Sequence, residues 1–345
     1  MKILHVIDSL GAGGAEWQVV NTCNFLQEHE HVVCYFQSNI SLLSHFNKAQ
    51  CIHIKKRFLI QRILGLRKHI KSIKPDIIHS QLIYSTFITR FCIKKTNKFF
   101  FTVQNVLSKD AFEKNKIWFL IERLTYKKNQ NLIAVSPTVL RDYDKTIGIK
   151  GKSYVLYNTI SANFFNVIKS YDKTNGYFKL VAVGNLREVK NHINLVKALG
   201  LLKEIKVSLT IYGSGNLEKT LIAEAQKLKV ELILKGSVNE LYKQLQQFDA
   251  FIMPSYFEGC SLAALEAMAT GLPVILSEID SFRDIAEHRA FYFNPHSADE
   301  IKKSILECYQ NWELAVEWAK ENKKITTERV SEITFKNRIN QIYNI

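Results

Sequence analysis

Two carboxylates eight residues apart, Glu258 and Glu266, lie in the stretch Pro254-Ser255-Tyr256-Phe257-Glu258-Gly259-Cys260-Ser261-Leu262, which runs on to Val274. The pattern reads as a strand that ends, a loop that presents Glu258 and a glycine at 259 that lets a ligand come close. A helix then begins whose first amides can face an anion. Glu266 falls two turns into that helix among Leu262, Ala263, Leu265 and Met268. A carboxylate on so apolar a helix needs either a partner or a ligand hydroxyl. A second group, Gly184-Asn185-Leu186-Arg187-Glu188-Val189-Lys190-Asn191-His192, sets Arg187 and Lys190 three apart in a loop leading to a helix. There a guanidinium fork and an ammonium can both hold phosphate oxygens. A third, Gly11-Ala12-Gly13-Gly14-Ala15-Glu16, follows an apolar run and lets backbone approach a ligand. Glu16 stands where a dinucleotide fingerprint has its third glycine, and no carboxylate follows Gln37-Ser38 to hold a ribose, so a nicotinamide cofactor is not expected. For each group a bland reading, a structural ion pair or a glycine-rich turn, stands beside the functional one.

These loops need elements to hold them, and both halves of the chain alternate β-rich runs with helical patterns, as open parallel α/β sheets do. In the first half the strand candidates are residues 2–7, 32–37, 76–80, 98–103 and 131–136, with helical stretches at 16–27 and 57–73. In the second they are 178–184, 207–213, 231–236, 250–255 and 273–277, with helices at 191–202, 217–228 and 261–269. From about Ala298 the tail is helical by pattern, with Trp312 and Trp318 among its anchors. The polar stretch KSYDKTNGY (169–177) is the linker candidate. Two Rossmann-like sheets joined by a linker make a crevice at their carboxyl-end loops, where such folds bind ligands.

The chain has 345 residues, about two domains' worth, and is 47% hydrophobic, which excludes disorder and a coiled coil. No apolar run is long enough to span a membrane, and MKILHVIDSL reads as a buried strand and not a secretion signal. Six cysteines (23, 34, 51, 92, 260, 308) form no C-x-x-C pair, so neither zinc nor a disulfide framework is suggested. They read as reduced thiols of a cytoplasmic protein. Of the net charge of +15, residues 1–165 carry +14, from 24 Lys and Arg against 10 Asp and Glu. Such a surface favours anionic partners, although a codon bias toward Lys, Ile and Asn explains it equally well.

Taken in order, these pieces resemble the GT-B glycosyltransferases of family 4, the group 1 glycosyl transferases. The E-x7-E pair Glu258/Glu266 carries the resemblance. GGAE (13–16), KPDIIHS (74–80), VSP (135–137), LYNTI (156–160), GNLREVKNH (184–192) and YGSG (212–215) support it. The resemblance implies an α/β GT-B fold, two Rossmann-like parallel-sheet domains facing each other across a cleft. The acceptor-binding domain would be 1–168 and the donor-binding domain 169–327, with a C-terminal helix at about 328–345 able to pack back on the first. It implies a retaining enzyme that moves a hexosyl or N-acetylhexosaminyl group from a nucleotide-diphosphate sugar, a UDP-sugar first among the candidates, with no metal and no other cofactor.

In that picture Arg187 and Lys190 hold the diphosphate from one side, and the Gly259, Cys260 and Ser261 amides, with Leu262 following, hold it from the other. Glu266 takes the ribose hydroxyls and Glu258 those of the sugar. Gly13 and Gly14 approach the donor from the facing domain, and Gly213 and Gly236 lie in the loops near the base. Two departures stand out. Gln104 occupies the place where many members carry a His that contacts the donor sugar, and a carboxamide cannot exchange protons at neutral pH. Asn185 occupies the place of a common Arg, so the clamp is expected to shift to Arg187. The D-x-D of Asp142-Tyr143-Asp144 falls in a helical pattern and is expected on a solvated face; His79 is expected to line the acceptor cleft, His5 to be a core histidine and His192 to pack at its helix start.

Two basic amphipathic stretches, residues 55–74 and 113–128, can lie on an anionic membrane. Similar enzymes often glycosylate lipid-linked acceptors. The expected partners are therefore a nucleotide-sugar donor, a glycan or polyprenyl-linked acceptor of a bacterial surface polysaccharide and an anionic membrane surface, but no nucleic acid. Two readings stay open beside this one: a GT-B sugar phosphorylase or nucleotide-sugar epimerase, and a basic nucleic-acid-binding protein.

Overall fold

The computed structural model describes residues 1–345 apart from 12, 110–115, 172–176 and 345. The chain divides into two units, Met1–Thr159 with Glu332–Ile345, and Ile160–Ser331. The division falls ahead of the polar stretch 169–177, of which residues 172–176 lie outside the described residues.

The first unit runs β1 (Lys2–Ile7), α1 (Gly14–Phe25), β2 (Glu30–Tyr35), β3 (Gln50–His53), α2 (Leu59–Ile73), β4 (Ile77–Gln81), α3 (Ile83–Cys92), β5 (Lys98–Val103), α4 (Lys116–Thr125), β6 (Gln130–Ala134), α5 (Pro137–Thr146) and β7 (Ser153–Val155). Its seven strands are parallel in the order β3-β2-β1-β4-β5-β6-β7. The inner strands are buried along almost their whole length, because helices cover both faces of a parallel sheet and leave no solvated side for alternation.

The second unit runs α6 (Ala162–Phe165), β8 (Tyr177–Val183), α7 (His192–Leu201), β9 (Lys206–Tyr212), α8 (Glu218–Leu228), β10 (Glu231–Gly236), α9 (Leu241–Leu245), β11 (Ala250–Met253), α10 (Leu262–Thr270), β12 (Val274–Ser277), α11 (Asp280–Ala286), β13 (Phe291–Phe293), α12 (Ala298–Gln310) and α13 (Trp312–Val330). The strand order is β10-β9-β8-β11-β12-β13, again parallel. Its core joins Leu180, Leu195, Leu209, Ile252 and Ile301, with Trp312 and Trp318 packed against it.

The last helix, α14 (Glu332–Tyr343), belongs to the first unit. It sets Phe335, Ile339, Ile342 and Tyr343 among Ile3, Ile77, Phe100 and Ile133. Both sheets reverse strand order once, between β1 and β4 and between β8 and β11. In doubly wound sheets ligands bind outside the carboxyl ends of the strands at such switch points.

Candidate functional site

In the second unit the loops that follow β8 and β11 meet at the switch point. After β8 the chain makes a single tight turn over Glu188–Lys190 and leaves it through Asn191, whose φ of 56° lies in the left-handed region that Asn tolerates. The Tyr256 amide donates to the Val189 carbonyl at 2.9 Å, which ties the two loops together. Lys190 Nζ then donates to Glu258 Oε1 at 2.6 Å, with the two side chains only 20% and 12% exposed. Ser255, fully buried, donates its hydroxyl to the same oxygen at 2.7 Å. Arg187 takes another place. It is exposed and lines a cavity of about 680 Å³ with Asn185, Glu188, Ser214, Gly215 and Asn216, a set that does not include Lys190. The two cations expected to act as one clamp are thus differently disposed, Lys190 neutralised by a carboxylate and Arg187 open to whatever enters.

Three residues past Glu258, Ser261 caps α10 by accepting the Ala264 amide at 3.4 Å, so the Leu262 and Ala263 amides are left without an acceptor inside the helix. Gly259, Cys260 and Leu262 are half-buried at this end. Glu266 follows in the next turn, half-buried and without a hydrogen-bond partner among the described residues. The protein packed around it pushes its carboxyl up to about 8. A group so placed can donate to or accept from a hydroxyl.

The loops after β9 and β10 border the same edge. The Gly213 amide donates to the Gly236 carbonyl at 2.8 Å, and the Gly184 amide to the Tyr212 carbonyl at 2.9 Å. A Cβ on Gly213 would lie 2.0 Å from the Gly184 carbonyl oxygen, so only glycine closes this junction. His192 begins α7 as a buried side chain with both ring nitrogens unpartnered among the described residues. Burial and the nearby Lys190 charge lower its pKa to about 4.

In the first unit Gly13 caps α1 and Gly14 opens it; Ala12 lies outside the described residues. Ser9 Oγ donates to Glu16 Oε1 at 3.0 Å, and Glu16 folds back so closely that a Cβ on Gly13 would lie 2.3 Å from its carboxylate. Gln104, just past β5, is held at both ends of its carboxamide. Its Nε2 donates to Gln81 Oε1 at 3.2 Å and its Oε1 accepts from Asn158 Nδ2 at 3.0 Å.

Of the histidine and carboxylate expectations, that for His79 comes out differently. His79 is buried, with Nδ1 2.6 Å from the Tyr343 hydroxyl and Nε2 2.7 Å from Thr102 Oγ1, and burial lowers its pKa to about 3; it is a core residue and not a surface ligand. His5 is a core histidine as expected, with Nε2 3.1 Å from His31 Nδ1. With Cys23 these two form one cluster of ligand-type side chains whose donor atoms lie within 4.8 Å. Asp142 and Asp144 are turn caps, accepting from the Ser108 and Ile149 amides at 3.1 and 3.0 Å, and Tyr143 between them is buried. Ser255 and Asn158 lie inside quoted blocks and Gln81 directly follows one, yet sequence reasoning assigned none of the three a role, because their burial shows only in the fold.

α2 buries Leu66 and Ile70 and leaves Leu59 and Ile60 exposed beside Phe58, with Leu64 beyond. On α4, Ile117, Leu120 and Leu124 form an outward stripe, 65%, 57% and 71% exposed. Residues 113–115 of that basic stretch lie outside the described residues. Trp118 instead packs edge-on against Phe87.

A polar crevice at a parallel-sheet switch point, with cations, a helix N-terminus and carboxylates, is the equipment of a protein that handles a phosphorylated sugar or nucleotide. Comparison with known proteins agrees. Residues 163–325 match the family model described as glycosyl transferases group 1, and residues 12–164 match that described as glycosyltransferase family 4. The chain is 25% identical over 335 residues to the O-antigen biosynthesis glycosyltransferase WclY of Escherichia coli, covering 90% of this chain and 92% of that one. It is 26% identical over 331 residues to the Escherichia coli UDP-Gal:alpha-D-GlcNAc-diphosphoundecaprenol alpha-1,3-galactosyltransferase, covering 88% and 80%. Among solved structures, Anabaena Alr3699/HepE in complex with UDP superposes with a TM-score of 0.84 at 16% identity over the whole of both chains. Its UDP-glucose complex gives 0.83. The chain belongs to the family 4 glycosyltransferases of GT-B fold and is a glycosyltransferase of polysaccharide biosynthesis.

Proposed function

We propose that the enzyme transfers a sugar, with retention at the anomeric carbon, from a UDP-sugar to a lipid-linked glycan of a bacterial surface polysaccharide, without a metal ion. The observation that carries this is the contact of Lys190 with Glu258 at 2.6 Å beside the N-terminus of α10, at the switch point of the second sheet. Arg187, the two remaining protons of Lys190 and the first amides of α10 supply positive charge where a pyrophosphate leaving group gathers negative charge. Such preorganised charge is worth most in the transition state. Glu266 takes the ribose hydroxyls and the second oxygen of Glu258 those of the sugar. Gln104, whose carboxamide cannot exchange protons, serves as a hydrogen-bonding residue, so the departing phosphate oxygen accepts the acceptor's proton on the same face.

Support for the donor comes from the solved relatives with UDP and UDP-glucose, and for the acceptor from the diphosphoundecaprenol-linked substrate named for one curated relative. The exposed α4 stripe and the basic residues of α2 suit a peripheral seat on anionic lipid. No described helix is long and apolar enough to cross a membrane.

The test is thermal-shift screening against UDP-, GDP- and TDP-sugars with and without chelator, since a true donor stabilises by mass action. Stabilisation by a UDP-sugar that survives chelation is expected; stabilisation only by GDP- or TDP-sugars, or only with a divalent ion, would overturn that part. Phosphate-dependent cleavage, or isomerisation of the free nucleotide sugar, would identify the phosphorylase or epimerase alternatives.

A further inference from the structure

Glu258 Oε1 receives two donors, the Lys190 ammonium at 2.6 Å and the Ser255 hydroxyl at 2.7 Å, while its Oε2 makes no hydrogen bond among the described residues. Ser255 itself is fully buried two residues past β11, in backbone that the Tyr256–Val189 hydrogen bond fixes to the Lys190 loop. We propose that Ser255 is a positioning residue of the donor site. Its hydroxyl locks the Glu258 rotamer, aims Oε2 at the sugar and holds Lys190 at a set distance, so that sugar recognition and the phosphate-side cation are coupled through one oxygen. This rests on the reading of Glu258 as the carboxylate that meets the donor sugar.

The coupling has a chemical consequence. A carboxylate free to rotate would swing onto Lys190 with both oxygens and present neither to a hydroxyl. With Ser255 in place the ion pair uses one oxygen, the other stays available and two ammonium protons stay available too. A nucleotide without its sugar meets only the cationic side of this arrangement, so Ser255 matters chiefly when a sugar is attached.

The experiment compares the full chain with Ser255→Ala and Ser255→Thr, which keeps the hydroxyl, by calorimetric titration with UDP and with UDP-glucose and by crystal structures of each variant. The expected result is that Ser255→Ala weakens UDP-glucose binding about tenfold, the weight of a hydrogen bond to a charged group. UDP binding should change less than twofold, Thr should restore the sugar preference, and Glu258 should occupy more than one rotamer in the Ala variant. Parallel weakening of UDP and UDP-glucose would reduce Ser255 to a structural role and overturn the proposal. So would an unshifted single Glu258 rotamer in the Ala crystal. A wild type that binds neither compound would count against the UDP-sugar reading, while the Glu258 rotamer would still decide the role of Ser255.

Discussion

Glu266 is a carboxyl that burial moves from an ordinary 4.5 to about 8, and the shift makes stability depend on pH in a definite sense. The unfolded chain gives up this proton near 4.5 and the folded one near 8, so in between the folded state holds the extra proton. Stability from this group is therefore greatest below about 4.5 and falls as pH rises toward 8. Melting curves from pH 5 to 9 should show a decline that Glu266→Gln flattens; an unchanged slope in the variant would place the decline elsewhere. The cations differ in what their loss should do. Arg187→Ala removes a charge with no side-chain partner among the described residues and should cut turnover by on the order of a hundredfold with little change in melting temperature. Lys190→Met should do the same to turnover and in addition unpair Glu258, so its melting temperature should fall as well. Steady-state kinetics beside calorimetry separate the two.

At the level of the elements, α4 is pinned from inside. Arg90, on α3, grips Glu122 through two nitrogens at 2.5 and 2.8 Å, and the Tyr143 hydroxyl of α5 donates to Glu122 at 2.6 Å. Glu122→Ala would strand a buried guanidinium and should cost about 3–5 kcal/mol in denaturant unfolding. The outer face of the same helix should behave oppositely. Leu120→Glu with Leu124→Glu should leave folding intact but abolish the co-sedimentation with anionic vesicles expected of the unaltered chain. The buried half of this fold was readable because parallel strands leave long apolar runs: residues 2–7 and 98–103 coincide with β1 and β5. The strands passed over, β3, β7 and β13, are three or four residues long and at or next to a sheet edge, too short for a run to stand out from loop. At the site, residue types and loop placement were legible, since strand ends and a helix start are local. The Lys190–Glu258 pairing was not, because it joins residues 68 apart and depends on strand order. The separate setting of Arg187 was hidden for the same reason.

For the whole molecule, the two units differ in how the chain builds them. The second is one continuous segment, Ile160–Ser331, whereas the first needs Met1–Thr159 and the far end, Glu332–Ile345. Ile339 and Tyr343, fully buried in the first unit's core, are part of what closes it. Truncation after Ser331 should therefore leave an unfolding transition from the second unit and lose that of the first, while a peptide of residues 332–345 added to residues 1–159 should restore helicity and protection to it. Calorimetry and hydrogen exchange would read both; an unaffected first transition in the truncated chain would refute the dependence.

The return of α14 also reverses the usual schedule of synthesis, in which amino-terminal domains mature first. As the nascent polypeptide leaves the ribosome, the earlier-made unit must wait, its sheet lacking a covering helix until α14 has been made, while the later-made one can complete itself. The segment born first would thus be the last to mature, and through that interval its uncovered apolar face is what a chaperone would meet.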